Sequence, residues 1–309
     1  MDATPVVSKW KGILLVATSG CCWGFHGVLI KHAYSLGASH MQVFFVEVLL
    51  ATLFFGCFAR RFFQGFRPQG RQWLSLMGIG LSTIGVGNFL FLSFQLGPVA
   101  VTATLMFLYV PVVYLFSVCS GRQRFKPVKL LAIASILGGA VLATELIHTL
   151  HEPGVIPAVF SAIAASSCYA VVFILTPAVA GYTTLEFRSF ALSGMGLIGC
   201  VLTFLFVPDL WQDLGGNWSK FLVFALLLGV VGQTLPVITL MKGLPLTGSS
   251  LGGVIASIEL PIAVFSAALF LGESLHWVKV LGVFLVIFGI VLYNLSDRER
   301  VVADAAGTC

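Results

Sequence analysis

Apolar residues run along this chain in stretches of about twenty, and charged residues gather in the short gaps between them. Ten such stretches can be drawn: 12–30, 41–58, 73–95, 100–119, 130–146, 156–176, 187–207, 221–241, 249–271 and 277–295. At ~1.5 Å rise per residue, about twenty residues cross a ~30 Å hydrocarbon core. The pattern predicts an all-α membrane protein of ten transmembrane helices joined by short connections, with a polar, frayed tail after Leu295.

Composition agrees with the pattern. Of 309 residues, 58% are hydrophobic and only 9% charged, which excludes an ordinary soluble domain. The net charge of +5 does not point to nucleic acid, because its distribution reads as a topology signal. With the N-terminus in the cytoplasm, inside segments hold 14 of the 17 Lys and Arg, and only Lys31, Lys220 and Lys279 fall outside. Both termini are then cytoplasmic, and the chain is expected in the inner (plasma) membrane. The run 12–30 is too long for a signal-peptide core and no small-residue cleavage site follows it, so no cleavable signal is expected. Seven cysteines without metal-type spacing read as small buried hydrophobes, and neither a metal nor a cofactor is expected.

The chain is written twice. Trp23 precedes Tyr169 by 146 positions and Gly87-Asn88 precedes Gly232-Gln233 by 145. Pro111 precedes Pro261, and Gly139 precedes Gly289, by 150. Five spans per half is an odd number, so the second copy enters the membrane from the opposite side, as an inverted-topology repeat. The halves divide as 1–150 and 151–296, with 297–309 as a cytoplasmic tail. One chain holds both halves, so a monomer suffices and a dimer is compatible.

These features carry a resemblance. Trp23-Gly24 with Lys31, Gly97-Pro98-Val99-Ala100 before Pro111, Pro245, Ser249-Ser250, Glu259-Leu260-Pro261, Gly272-Glu273, Gly282 and Gly289 are similar to the EamA family of the drug/metabolite transporter superfamily. The likeness covers about residues 12–142 and 154–292. It implies a secondary transporter, often an exporter of amino acids and related metabolites. Two departures stand out: the second helix of the family often carries Arg where this chain has Glu47, and the first-half turn, Gly121-Arg122-Gln123, lacks the acid. The first puts the charge of the substrate in question.

The candidate binding residues are the polar and aromatic ones at mid-span. A charge at bilayer depth costs at least ~2.5 kcal/mol, so an acid kept there is a functional candidate. Glu259 reads either as a proton-titrating or cation-binding carboxylate, or as a structural acid bonded to backbone that Pro261 leaves open. Glu47 either faces the cavity or reaches toward the headgroups. Both are coupling candidates. Asn88 and Gln95 share a face of the third helix, with Gln233 as the second-half counterpart of Asn88, and amides there either line a cavity or tie helices together. Trp23, His26, Tyr109 and Tyr169 suit a planar or cationic substrate through stacking or cation–π attraction, against a reading as plain packing. The glycines Gly20, Gly24 and Gly27, and the pair Gly248/Gly252, read as close helix packing.

Two strings are discounted. Gly194–Gly199 matches G-x-G-x-x-G but lies inside an apolar span with no preceding strand, and Gly248–Gly252 matches G-x-S-x-G without a His/Asp pair at that depth. No enzyme is expected. The expected function is alternating-access transport of a small metabolite such as an amino acid, with proton coupling through Glu259 or Glu47 open. The alternative is a carrier of organic cations or quaternary amines.

Overall fold

The computed structural model describes residues 6–61, 70–96, 99–146, 155–272 and 275–305. Outside them lie Gly97-Pro98, Arg67, His148, His151, Glu152 and the Glu273-Ser274 turn, and the side chain of Gln95 is likewise not described. Among the described residues every regular element is helical. Eight segments are long and apolar enough to cross a membrane, and two shorter apolar helices, His40–Gly56 and Pro127–Ala143, accompany them. The protein is a multi-pass membrane protein. Its outer faces are apolar to match lipid: Leu205, Phe206, Leu269 and Trp277 all stand exposed.

The helices are α1 (Val6–Ser35), α2 (His40–Gly56), α3 (Arg71–Leu96), α4 (Val99–Met106), α5 (Tyr109–Cys119), α6 (Pro127–Ala143), α7 (Val155–Val179) and α8 (Leu185–Phe206). Then come α9 (Trp218–Leu227), a π-helical turn (Leu228–Thr234), α10 (Leu235–Thr247), α11 (Ser249–Ala256), α12 (Glu259–Leu271) and α13 (Trp277–Ala305). Three expectations change. The spans 100–119 and 249–271 are not continuous, since each breaks into two helices. The last helix runs on through Ala305, so the residues just after Leu295 are helical and not a frayed tail. Gly248 is a left-handed turn between α10 and α11, at φ +77°, and not a packing glycine.

The two breaks are alike bond for bond. Pro111 and Pro261 have no N–H for the carbonyls of Phe107 and Ser257, four residues back. Val110 and Leu260 donate to those carbonyls instead, at 3.0 and 3.2 Å. The tightening propagates backwards, with Leu108 donating to Leu105 and Ile258 donating to Ile255, both at 3.1 Å. Carbonyls passed over in this way need other donors. The Met106 carbonyl accepts from Ser166 Oγ (2.9 Å), and the Gly253 carbonyl accepts from the Tyr109 hydroxyl (2.9 Å). Tyr109 and Glu259, 150 positions apart, thus open α5 and α12 at equivalent breaks.

Small residues set the helix crossings. A Cβ on Gly139 would meet the Gly282 carbonyl and one on Gly282 the Gly139 carbonyl, each at 2.6 Å, while Gly289 lies against Ala132 and Ile136. The α6–α13 contact is therefore antiparallel and self-complementary, and Ser135 Oγ donates across it to the Leu285 carbonyl (2.8 Å). Gly20 and Gly24 let α1 approach Ile258 and Ile262, whereas Gly27 has nothing within 4 Å. The largest buried cluster gathers Phe55, Tyr114, Phe173, Met241, Leu244 and Tyr293 from five helices. We expect Gly282→Ala to destabilise the protein by about 1–3 kcal/mol, because its methyl meets backbone that cannot swing away. Gly138→Ala, on open space in α6, is expected to be neutral or mildly stabilising. Thermal unfolding of the two purified variants, compared side by side, checks the contrast.

Candidate functional site

The elements converge on a cavity of about 310 Å³, at the small end of the ~300–1,000 Å³ typical of ligand pockets. Seven of the eight sequence candidates line it: Trp23, His26, Glu47, Tyr109, Tyr169, Gln233 and Glu259. Asn88 is not among the lining residues. It donates to the Ile84 carbonyl at 3.0 Å and accepts from Thr203 Oγ1 at 2.5 Å, tying α3 to α8. Among the described residues no three His, Cys, Asp or Glu side chains meet as metal ligands.

Glu47 is 1% exposed and faces inward. Its Oε1 lies 2.6 Å from His26 Nε2, a hydrogen-bonded pair between α2 and α1. Of the two readings of Glu47, facing the cavity or reaching toward the headgroups, the structure has the first, with His26 as its neighbour. The pair is made possible by Gly232, where a Cβ would fall 2.7 Å from the imidazole. Gly232 sits in the π-helical turn, a deviation often found at functional sites. Its carbonyl would ordinarily accept from residue 236, but that residue is Pro236 and has no N–H. Trp23 Nε1 donates to it instead, at 2.9 Å.

Glu259 is different. It is partly buried, it lies on the cavity wall, and among the described residues its carboxyl has no hydrogen-bond partner. Across from it, Tyr169 packs edge-on against both Trp23 and Tyr109, with ring centroids 6.2 and 5.0 Å apart. The cavity thus has one paired acid, one unpaired acid and an aromatic corner, with no Lys or Arg among its lining residues.

Sequence reasoning missed Phe44, Thr83, Met106, Val172 and Leu192 on the wall. Phe44 could have been found, since it shares a helix face with Glu47 three positions on. Thr83 is a polar residue in an apolar span, while Met106, Val172 and Leu192 carry no signal that separates them from lipid-facing neighbours.

The profile of the EamA-like transporter family matches residues 10–144 and again residues 156–295. The chain belongs to the EamA-like transporter family. As an EamA-like chain it is 24% identical over 308 residues to the "Uncharacterized transporter YcbK" of Bacillus subtilis (strain 168). That match covers 94% of this chain and 95% of the relative. A solved structure described only as "Crystal structure of protein" shares the fold, with a TM-score of 0.77 at 16% identity over 93% of this chain and 98% of the other.

Proposed function

We propose that this EamA-like protein is a secondary transporter of ten spans, built as two inverted five-helix repeats (1–150 and 151–296). It carries a small molecule across the plasma membrane by alternating access at the central cavity, with both termini in the cytoplasm. Membership in a transporter family supports a carrier over an enzyme. The inverted repeat is supported by the equivalent proline breaks and by the antiparallel, self-complementary α6–α13 contact. One chain holds both halves, so a monomer is sufficient for the cycle.

Family resemblance favours amino acids as cargo and export as direction, yet the cavity's chemistry favours an organic cation. A zwitterion brings a carboxylate that needs donors of its own, or burial costs several kcal/mol. The donors here are mostly committed. Trp23 Nε1 serves Gly232, the Tyr109 hydroxyl serves Gly253, Thr83 Oγ1 serves Ile79, and His26 serves Glu47. Gln233 is left. Two carboxylates without an opposing Lys or Arg suit a positive head group, and the aromatic corner suits it again through cation–π attraction. The observation that carries this reading is the Glu259 carboxyl, without a hydrogen-bond partner among the described residues, on the cavity wall where α11 breaks into α12. A carboxyl that holds either a proton or the cation makes the two exclusive, the minimum required for proton exchange.

Counterflow into proteoliposomes tests the function. Labelled amine is expected to accumulate in vesicles preloaded with unlabelled amine and not in empty ones. No counterflow of amines or amino acids by folded protein would sink transport, and counterflow of amino acids alone would restore the exporter reading.

A further inference from the structure

The two halves do not contribute alike to the cavity, and the difference has a direction. Resting on the inverted-repeat reading above, each polar wall residue has a counterpart fixed by local structure. Ser39 and Thr184 cap α2 and α8 by accepting from the backbone N–H groups of Gln42 and Phe187, and both pairs are 145 positions apart. The same offset pairs Glu47 with Leu192. Trp23 and Tyr169, 146 apart, pair His26 with Val172. The matching breaks pair Glu259 with Tyr109. All six of these residues line the cavity. The charged members stand on α1, α2 and α12, and their counterparts, on α7, α8 and α5, are apolar or aromatic.

We infer that the cavity is divided into a head subsite at His26, Glu47 and Glu259, bordered by the aromatic corner that holds Tyr109, and a body subsite at Val172 and Leu192, and that Leu192 restricts the substrate to one positive charge. The ligand class is a monoamine, primary to quaternary, carrying an aliphatic or aromatic body. Leu192 is 7% exposed and belongs to the main apolar cluster, so a second ammonium on the body of the ligand would lose its water against a side chain that cannot pair with it. At the position equivalent to Leu192, Glu47 supplies a carboxylate. The specificity of the site is therefore a broken symmetry, and Leu192 is the side chain that stands where the other half has a carboxylate hydrogen-bonded to His26.

Thermal stabilisation of the detergent-purified protein reads binding directly and needs no transport. In the wild type, 2-phenylethylamine is expected to raise the unfolding temperature. Phenylalanine, 2-phenylethanol and 1,5-diaminopentane at the same concentration are not. These three respectively add a carboxylate, replace the ammonium by a hydroxyl, and replace the ring by an aliphatic body that carries a second ammonium. Stabilisation by phenylalanine or by the diamine equal to that by the monoamine would overturn the division. Leu192→Glu is expected to improve diamine affinity about tenfold, the scale of one added pairing contact. Should that variant not fold, Leu192→Ala is expected to shift preference by about tenfold toward a naphthyl-bodied amine, as methylene-sized changes in apolar pockets do. An unchanged preference in Leu192→Ala would overturn the assignment of Leu192. Binding that follows this pattern without counterflow would remove the transport reading and leave the subsites standing. Counterflow of an amine that ignores the Leu192 variants would do the reverse.

Discussion

Glu259→Gln is expected to weaken binding of a cationic substrate by about 10- to 100-fold, roughly 1.4–2.8 kcal/mol, while leaving the fold intact. The two halves of that expectation come from one observation. The carboxyl has no hydrogen-bond partner among the described residues, so its amide replacement orphans nothing in the protein. It does remove the charge presented to the cavity, and with it the group proposed to exchange substrate for a proton. Proton-driven accumulation in vesicles is therefore expected to vanish at every substrate concentration, whereas counterflow without a pH gradient recovers as substrate is raised. Accumulation that persists in Glu259→Gln would remove Glu259 from coupling. Equal weakening of both activities that saturating substrate restores alike, in protein of unchanged stability, would assign it to binding alone.

His26→Leu is expected to destabilise the protein by about 3–5 kcal/mol, and His26→Leu/Glu47→Leu by far less. Removing one member of a buried pair leaves the other without a partner, while replacing both by apolar groups of similar shape is often nearly neutral. Glu47 is the member with no alternative, since its side chain is 2% exposed against 16% for His26. Gly232 keeps the imidazole pressed toward it. The measurement is a double-mutant cycle on unfolding free energy, and strong non-additivity is the expected result. Additive costs for the two substitutions would mean that the 2.6 Å contact contributes nothing to stability. Both variants are expected to weaken amine binding, because each removes polar groups from the head subsite.

Much of the architecture was legible in the sequence. Lipid demands about twenty apolar residues per crossing, and eight of the ten stretches correspond to segments of the structure long and apolar enough to cross, while the other two hold the shorter apolar helices His40–Gly56 and Pro127–Ala143. Pro111 and Pro261 were legible as perturbations, because the loss of an N–H is a local, covalent fact. Their consequence was not. That each splits a span in two, and turns the passed-over carbonyls toward Ser166 and Tyr109, depends on neighbours 60 and 144 residues away. The polar candidates were legible because a polar side chain in an apolar run is conspicuous, and seven of the eight do reach the cavity wall.

By itself, then, the sequence determined that the chain lives in a membrane, roughly where it crosses, that it is written twice, and which few side chains are costly enough to need a reason. Tertiary structure alone decided how those side chains are used. It sent Asn88 away to Thr203, joined His26 to Glu47, opened a π-helical turn at Leu228–Thr234, and put Leu192 and Val172 on the cavity wall. The reason is physical. In water a helix betrays its inner face by polarity, but lipid is as apolar as a protein core, so inward and outward faces of a spanning helix carry the same residues. Only the packing of one helix on another distinguishes them.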